Sequence, residues 1–149
     1  MNKNSILVVE DDRPIRNLII TALKTHDYKY LEAENGTSAI LEASSHNPDI
    51  VLLDLGLPDI EGVEVIKKIR MWSNMPIIVI SARSEDTDKI EALDAGADDY
   101  ITKPFEIREV LARVQVQLRH KEEKEAEEQH TLSFKDMVLN RNTFQVEIA

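Results

Sequence analysis

Glu10-Asp11-Asp12, Asp54 and Lys103 are residues whose types and surroundings could do chemistry together. The first follows the apolar run Ile6-Leu7-Val8-Val9, Asp54 follows Ile50-Val51-Leu52-Leu53, and Lys103-Pro104 follows Asp99-Tyr100-Ile101. Each charged group sits just past the C-terminal end of a short apolar segment, and open parallel α/β sheets bind ligands in the crevice outside those ends. If the segments are neighbouring strands, carboxylates and an ammonium converge on one point. Clustered carboxylates repel until a divalent cation fills the site. The chemistry this predicts is Mg2+-dependent phosphoryl transfer with Asp54 as acceptor. A carboxylate is a weak nucleophile, but it takes a phosphoryl group where the developing charge is stabilised. Asp11 and Asp54 are the direct ligand candidates, and Glu10 ligates directly or through water. Lys103 supplies a cation to the phosphoryl oxygens, and the Ser81 hydroxyl a hydrogen bond. Taken singly, each residue has a plainer reading. Asp12 before Pro14 is a helix cap, Lys103 a surface lysine, and Asp54 and Ser81 are turn residues. Their conjunction on four strand ends argues for a site.

The elements that must position these residues alternate between strand and helix. Residues 5–10, 28–33, 49–54, 77–80 and 99–102 read as short strands, the third apolar throughout as a strand covered on both faces should be. Between them, Ile15, Leu18, Ile19, Ala22 and Leu23 recur at helical spacing behind Asp12 and Pro14. A second helix starts at Thr37 or Ser38 with Ala39, Ile40 and Ala43 inward, and Asn47-Pro48 breaks it. Gly56-Leu57-Pro58-Asp59 is a turn. Val63, Val65, Ile66 and Ile69 mark a third helix. A fourth is capped by Ser84 or Asp86, contains Ile90 and Leu93, and ends at Gly96. Ile107, Val110, Leu111, Val114 and Leu118 define a fifth. Five strands alternating with five helices predict a doubly wound parallel sheet. The flavodoxin-like order 2-1-3-4-5 sets strands 1 and 3 side by side at the switch point, and these carry Asp11 and Asp54.

Composition limits the alternatives. The chain has 149 residues, 42% of them hydrophobic, a net charge of -10 and no cysteine. Disulfides, thiolate metal sites and cysteine nucleophiles are excluded, and a reducing cytoplasm is the compatible compartment. The N-terminal residues lead straight into a strand, with no sign of a signal peptide. No apolar run approaches the roughly 20 residues that span a bilayer. An acidic chain is a poor nucleic-acid binder, because phosphate contacts need Lys and Arg. His26, His46, His120 and His130 are scattered without ligand spacing, and the glycines form no phosphate loop.

Four motifs carry a resemblance. Val8-Val9-Glu10-Asp11-Asp12, Leu52-Leu53-Asp54-Leu55-Gly56-Leu57-Pro58-Asp59-Ile60-Glu61-Gly62, Ser81-Ala82-Arg83 and Gly96-Ala97-Asp98-Asp99-Tyr100-Ile101-Thr102-Lys103-Pro104-Phe105 make residues 3–121 resemble a response-regulator receiver domain. The resemblance implies a CheY-like fold, Mg2+, and phosphorylation of Asp54 by a sensor histidine kinase. It also implies a backbone-carbonyl metal ligand at Gly56, a cis peptide before Pro104, and Ser81 and Tyr100 as a switch pair. The role implied is a phosphoacceptor rather than an enzyme, with at most self-phosphorylation and self-dephosphorylation. Residues 95–105 resemble the OmpR/PhoB subfamily, whose receivers dimerise through helix 4, strand 5 and helix 5. Lys89, Asp98, Asp99, Glu109 and Arg113 match that dimer face. The plainer alternative is a set of exposed ion pairs worth little. Within the subfamily the loops look most like those of regulators of potassium-transport genes.

After residue 120 the composition changes. Residues 121–130 hold five Glu and two Lys, which predicts a solvated helix extension or an acidic linker over 122–130. Leu132, Phe134, Val138, Leu139, Phe144, Val146 and Ile148 then alternate like antiparallel strands, with Asn140-Arg141-Asn142 as a turn. Residues 131–149 resemble the opening sheet of the winged-helix DNA-binding domain of that subfamily. The recognition helix lies outside such a segment, so promoter binding is expected of a complete regulator and little of this chain. Two rivals remain. A Mg2+-dependent phosphohydrolase with an Asp nucleophile usually carries a second acid two residues on, where this chain has Gly56. A phosphorylation-independent dimerisation module typically loses part of the acid cluster, all of which is kept here.

Overall fold

The computed structural model describes residues 4–141, with side chains described through residue 126. Ten elements alternate: β1 (Ser5–Val9), α1 (Arg13–Thr25), β2 (Lys29–Ala33), α2 (Gly36–His46), β3 (Ile50–Leu53), α3 (Gly62–Arg70), β4 (Ile77–Ser81), α4 (Asp86–Ala95), β5 (Asp99–Thr102) and α5 (Ile107–Arg141). All strand pairs are parallel, in the order β2-β1-β3-β4-β5. This is the flavodoxin-like sheet that the alternating pattern predicts. By contacts the chain divides into two units, Met1–Leu118 and Arg119–Ala149. No helix among the described residues is long and apolar enough to cross a membrane.

Strand alternation sorts the core into two clusters. Leu7 and Val9 face one way, onto Ala39, Ala43, Val65, Ile66, Ile69 and Ala92 of α2, α3 and α4. Ile6 and Val8 face the other way, onto Ile19, Ile20 and Leu23 of α1 and Val110, Leu111, Val114 and Leu118 of α5. Both faces of β1, β3 and β4 are covered, which is why those strands read as unbroken apolar runs. Each large side chain fully buried in this way contributes about 1.5–3 kcal/mol.

Local signals explain most boundaries. Asp12 caps α1, its side chain accepting the Ile15 N–H, with Pro14 in the first turn. Gly96 ends α4 at φ 123°, a conformation that costs a side chain dearly, and a Cβ there would meet Arg70. Three details differ from the sequence reading. Asn35 caps α2, its side chain accepting the Ser38 N–H at 2.8 Å, so the helix begins at Gly36 rather than at 37 or 38. Glu85, not Ser84 or Asp86, occupies the N-cap of α4 and makes no side-chain cap bond. Leu18 stands 53% exposed on α1 although it shares the apolar period, the buried face of that helix running through Arg16, Ile19, Ile20 and Leu23.

The expected antiparallel segment also differs. Residues 131–141 are helical, continuing α5, where alternation predicts strands. A hairpin without a third strand is marginal in water, and a helix already nucleated extends at little cost through Leu, Lys and Met. Residues 142–149, with Phe144, Val146 and Ile148, lie outside the described residues.

Candidate phosphoacceptor site

The ends of the sheet's hydrogen-bond ladders set the site. The Glu10 amide donates to the Ala33 carbonyl at 3.0 Å, the Asp54 amide to Val9 at 3.0 Å and the Lys103 amide to Ser81 at 2.8 Å. Each site residue is thus the last one fixed by sheet pairing before its chain leaves the strand. Its backbone is rigid and its side chain opens into the crevice.

The side chains then meet. One carboxylate oxygen each from Glu10, Asp11 and Asp54 lies within 4.8 Å of the others. Glu10 and Asp54 are buried, at 2% and 8% exposure, while Asp11 faces solvent. Lys103 Nζ donates to Glu10 Oε1 at 2.7 Å and to Asp54 Oδ2 at 3.3 Å. Burial pushes the Glu10 carboxyl up to about 7; the bond from Lys103 opposes the rise and the charge of Asp54 adds to it. Burial works to lower the Lys103 pKa, but the bonds and charges of Glu10 and Asp54 outweigh it and hold the ammonium above its ordinary value. The donors are all oxygens and carry a surplus of negative charge, which suits a hard divalent cation.

Three neighbours complete the crevice. The Gly56 amide donates to Asp54 Oδ1 at 3.3 Å. Ser81 is buried, and its Oγ accepts the Arg83 N–H at 3.1 Å. Tyr100 is half-buried, and its hydroxyl donates to the Arg83 carbonyl at 2.6 Å. Ser81 and Tyr100 are thereby linked through one residue. The peptide between Lys103 and Pro104 is cis.

Four of the five expected dimer-face charges, Asp98, Asp99, Glu109 and Arg113, are engaged within the chain. Asp98 Oδ2 accepts from Arg70 at 3.0 Å and from the Ile77 amide at 2.8 Å, tying the α4–β5 turn to β4. Arg113 pairs with Asp99 at 3.0 Å and Glu109 at 3.7 Å. Lys89 lies on α4, whose Ile90 and Leu93 are 57% and 45% exposed.

Sequence reasoning missed Arg16. It is 6% exposed, donates from Nη1 to the Glu10 carbonyl at 2.7 Å, and pairs with Glu32 at 3.1 Å. It fixes the backbone that presents Glu10 and Asp11. Its position among the apolar residues of α1 was the available signal: a charge at a core position is buried only when it is paired. Asp59 was seen as a turn residue only. Its carboxylate accepts from the Gly36 and Thr37 amides at 2.7 and 2.9 Å, so the loop after Asp54 also closes on α2.

Comparison with known proteins agrees with this architecture. A family model described as the response regulator receiver domain matches residues 6–115. The KDP operon transcriptional regulatory protein KdpE of Escherichia coli is 52% identical over 115 residues, 77% of this chain and 51% of that protein. KdpE of Mycobacterium tuberculosis is 45% identical over 114 residues, 76% of this chain and 50% of that protein. The response regulator ArlR of Staphylococcus aureus is 37% identical over 143 residues, 96% of this chain and 63% of that protein. The chain thus spans about half the length of the KdpE relatives. Among solved structures, the BeF3-activated N-terminal receiver domain of Klebsiella pneumoniae RstA superposes with a TM-score of 0.75 at 34% identity, covering 78% of this chain and 99% of that one. A CheY-like receiver domain protein of Methanospirillum hungatei gives 0.79 at 26%, covering 83% and 99%. The chain belongs to the response regulator receiver family.

Proposed function

We propose that Asp54 accepts a phosphoryl group from a phosphohistidine of a sensor histidine kinase, and that the acyl phosphate switches a DNA-binding regulator. The observation carrying this reading is the meeting of Glu10, Asp11 and Asp54 oxygens within 4.8 Å, bridged by Lys103. An Asp54 oxygen attacks phosphorus in line, the P–N bond breaks, and the leaving imidazole takes up a proton. Lys103 then moves its hydrogen bonds onto the phosphoryl oxygens, where charge-assisted bonds are strongest. Ser81 donates its hydroxyl hydrogen to the same group. Glu10, Asp11, Asp54 and the Gly56 carbonyl are the groups to hold Mg2+, which supplies positive charge to the transferring oxygens. Gly56 stands where a phosphohydrolase of this type would place a second acid, and the reading is therefore of an acceptor rather than of an enzyme with turnover.

Output follows from the link between Ser81 and Tyr100. A phosphoryl group that binds one of two states better shifts their populations. The reading adds homodimerisation through α4, β5 and α5, supported by exposed Ile90 and Leu93 beside the Arg113 ion pairs. Location in the cytoplasm and control of potassium-transport genes rest on the likeness to KdpE. Promoter binding is assigned to a complete regulator carrying a winged-helix domain.

Incubation with Mg2+ and a small acyl-phosphate donor, followed by intact mass and size-exclusion chromatography, tests the reading. One phosphoryl adduct with a shift to dimer is expected, and neither for Asp54→Asn. An adduct retained in Asp54→Asn overturns the acceptor assignment; an adduct without the shift overturns the dimer.

A further inference from the structure

Arg83 Nη2 lies 2.9 Å from Glu61 Oε2, an ion pair between the loop after β4 and the N-cap of α3 on the acceptor's own loop. That guanidinium lies beside the acceptor turn: a Cβ on Gly56 would meet Arg83 Nη2 at 4.0 Å. Resting on the phosphoacceptor reading, we propose that Arg83 is a phosphoryl-binding residue held in reserve by Glu61. The guanidinium pairs with Glu61 while Asp54 is free and transfers to the phosphoryl oxygens once Asp54 carries them.

Three observations support the exchange. The resting pair is weak, because the Arg83 and Glu61 side chains are 37% and 59% exposed and such pairs contribute little. The Arg83 backbone is anchored at both ends, its amide to Ser81 and its carbonyl to Tyr100, so the side chain swings from a fixed point beside the site. Lys103 is already shared between Glu10 and Asp54, while a phosphoryl group carries about 1.5–2 negative charges in place of the single charge of the Asp54 carboxylate. A guanidinium fork matches phosphate oxygens geometrically in a way an ammonium does not. The transfer also links the phosphoryl group to the residue that joins the two switch side chains.

The test is a double-mutant cycle on the whole 149-residue chain. Beryllofluoride, a phosphoryl mimic, is titrated in Mg2+ and its dissociation constant read from the bound 19F resonance. Arg83→Gln is expected to weaken binding by roughly tenfold or more, the loss of a charge-assisted bond. Glu61→Gln is expected to tighten it roughly two- to fivefold by freeing Arg83, the worth of one exposed pair. In the Arg83→Gln background, Glu61→Gln should change nothing. Equal effects of Glu61→Gln in both backgrounds would reveal only a distant charge and overturn the exchange, as would wild-type affinity in Arg83→Gln. Failure of the wild type itself to bind beryllofluoride would instead overturn the acceptor reading on which the exchange rests.

Discussion

Replacing Arg16 should loosen the whole protein and the acid pocket together, and two substitutions separate the causes. Its Nη1 bond to the Glu10 carbonyl, at 2.7 Å, joins two buried groups. Losing such a charge-assisted bond and leaving the carbonyl unpaired costs about 1.5–3 kcal/mol. The pair with Glu32 adds less, because the Glu32 side chain is 45% exposed and such pairs are worth about 0–1 kcal/mol. Beyond the Cβ that alanine keeps, the aliphatic stem holds about two methylenes, at ~0.8 kcal/mol each. Arg16→Met keeps the stem and should cost about 2–3 kcal/mol from these polar terms; Arg16→Ala loses both and should cost about 3.5–4.5 kcal/mol. Urea unfolding read by the single tryptophan, Trp72, which is 46% exposed, measures both. The same variants should bind Mg2+ more weakly than wild type, since the loop that presents Glu10 and Asp11 is no longer held. Stability of Arg16→Met within ~0.5 kcal/mol of wild type would refute the reasoning, because that is the scatter of an uninvolved surface substitution.

Other outcomes follow from the same contacts. Glu10 holds its proton up to about 7 in the folded, cation-free protein against 4.5 as its ordinary value, so its contribution is full below 4.5 and is lost as pH rises to 7. Thermal unfolding without divalent cations should therefore weaken across that window, with a flatter profile in Glu10→Gln, and added Mg2+ should raise Tm more at pH 8 than at pH 6. Gly62→Ala places a Cβ 2.6 Å from the Leu55 Cα and 2.7 Å from the Asp54 carbonyl oxygen, both backbone atoms. It should cost at least about 1–3 kcal/mol of stability and depress adduct formation at Asp54, read by intact mass. Asp98→Ala strips the acceptor from the buried Ile77 amide and should cost about 1–3 kcal/mol in urea unfolding, whereas Asp98→Asn, which keeps an acceptor, should cost less.

Much of this molecule could be read before its coordinates. The unbroken apolar runs before Glu10 and Asp54 signalled strands buried on both faces, and the charges at their ends signalled the crevice. Asp12 announced a helix start through chemistry confined to three residues. What stayed hidden depends on contacts between distant segments. Arg16 sits in an apolar period and makes sense only once the Glu10 carbonyl is seen above it. Asn35, in the short turn between β2 and α2, serves as the start of α2 through a side chain that accepts the Ser38 amide. Alternation between Leu132 and Leu139 spelled strands, yet a strand needs partners, and residues 131–141 are helical. Asp98 looked like a charge waiting for a second copy, and it is engaged with Arg70 and β4.

The acid pocket is stitched from remote parts of the chain. Lys103 reaches Glu10 across 93 residues and Asp54 across 49. A ribosome therefore finishes all the acids long before it makes their counter-cation. An emerging chain that stops short of β5 carries Glu10 and Asp54 with no ammonium between them, and it lacks the last strand of the sheet. Contacts of such length close late, after loop entropy has been overcome. On the phosphoacceptor reading, competence to take up a phosphoryl group is thus expected only once the sheet is complete.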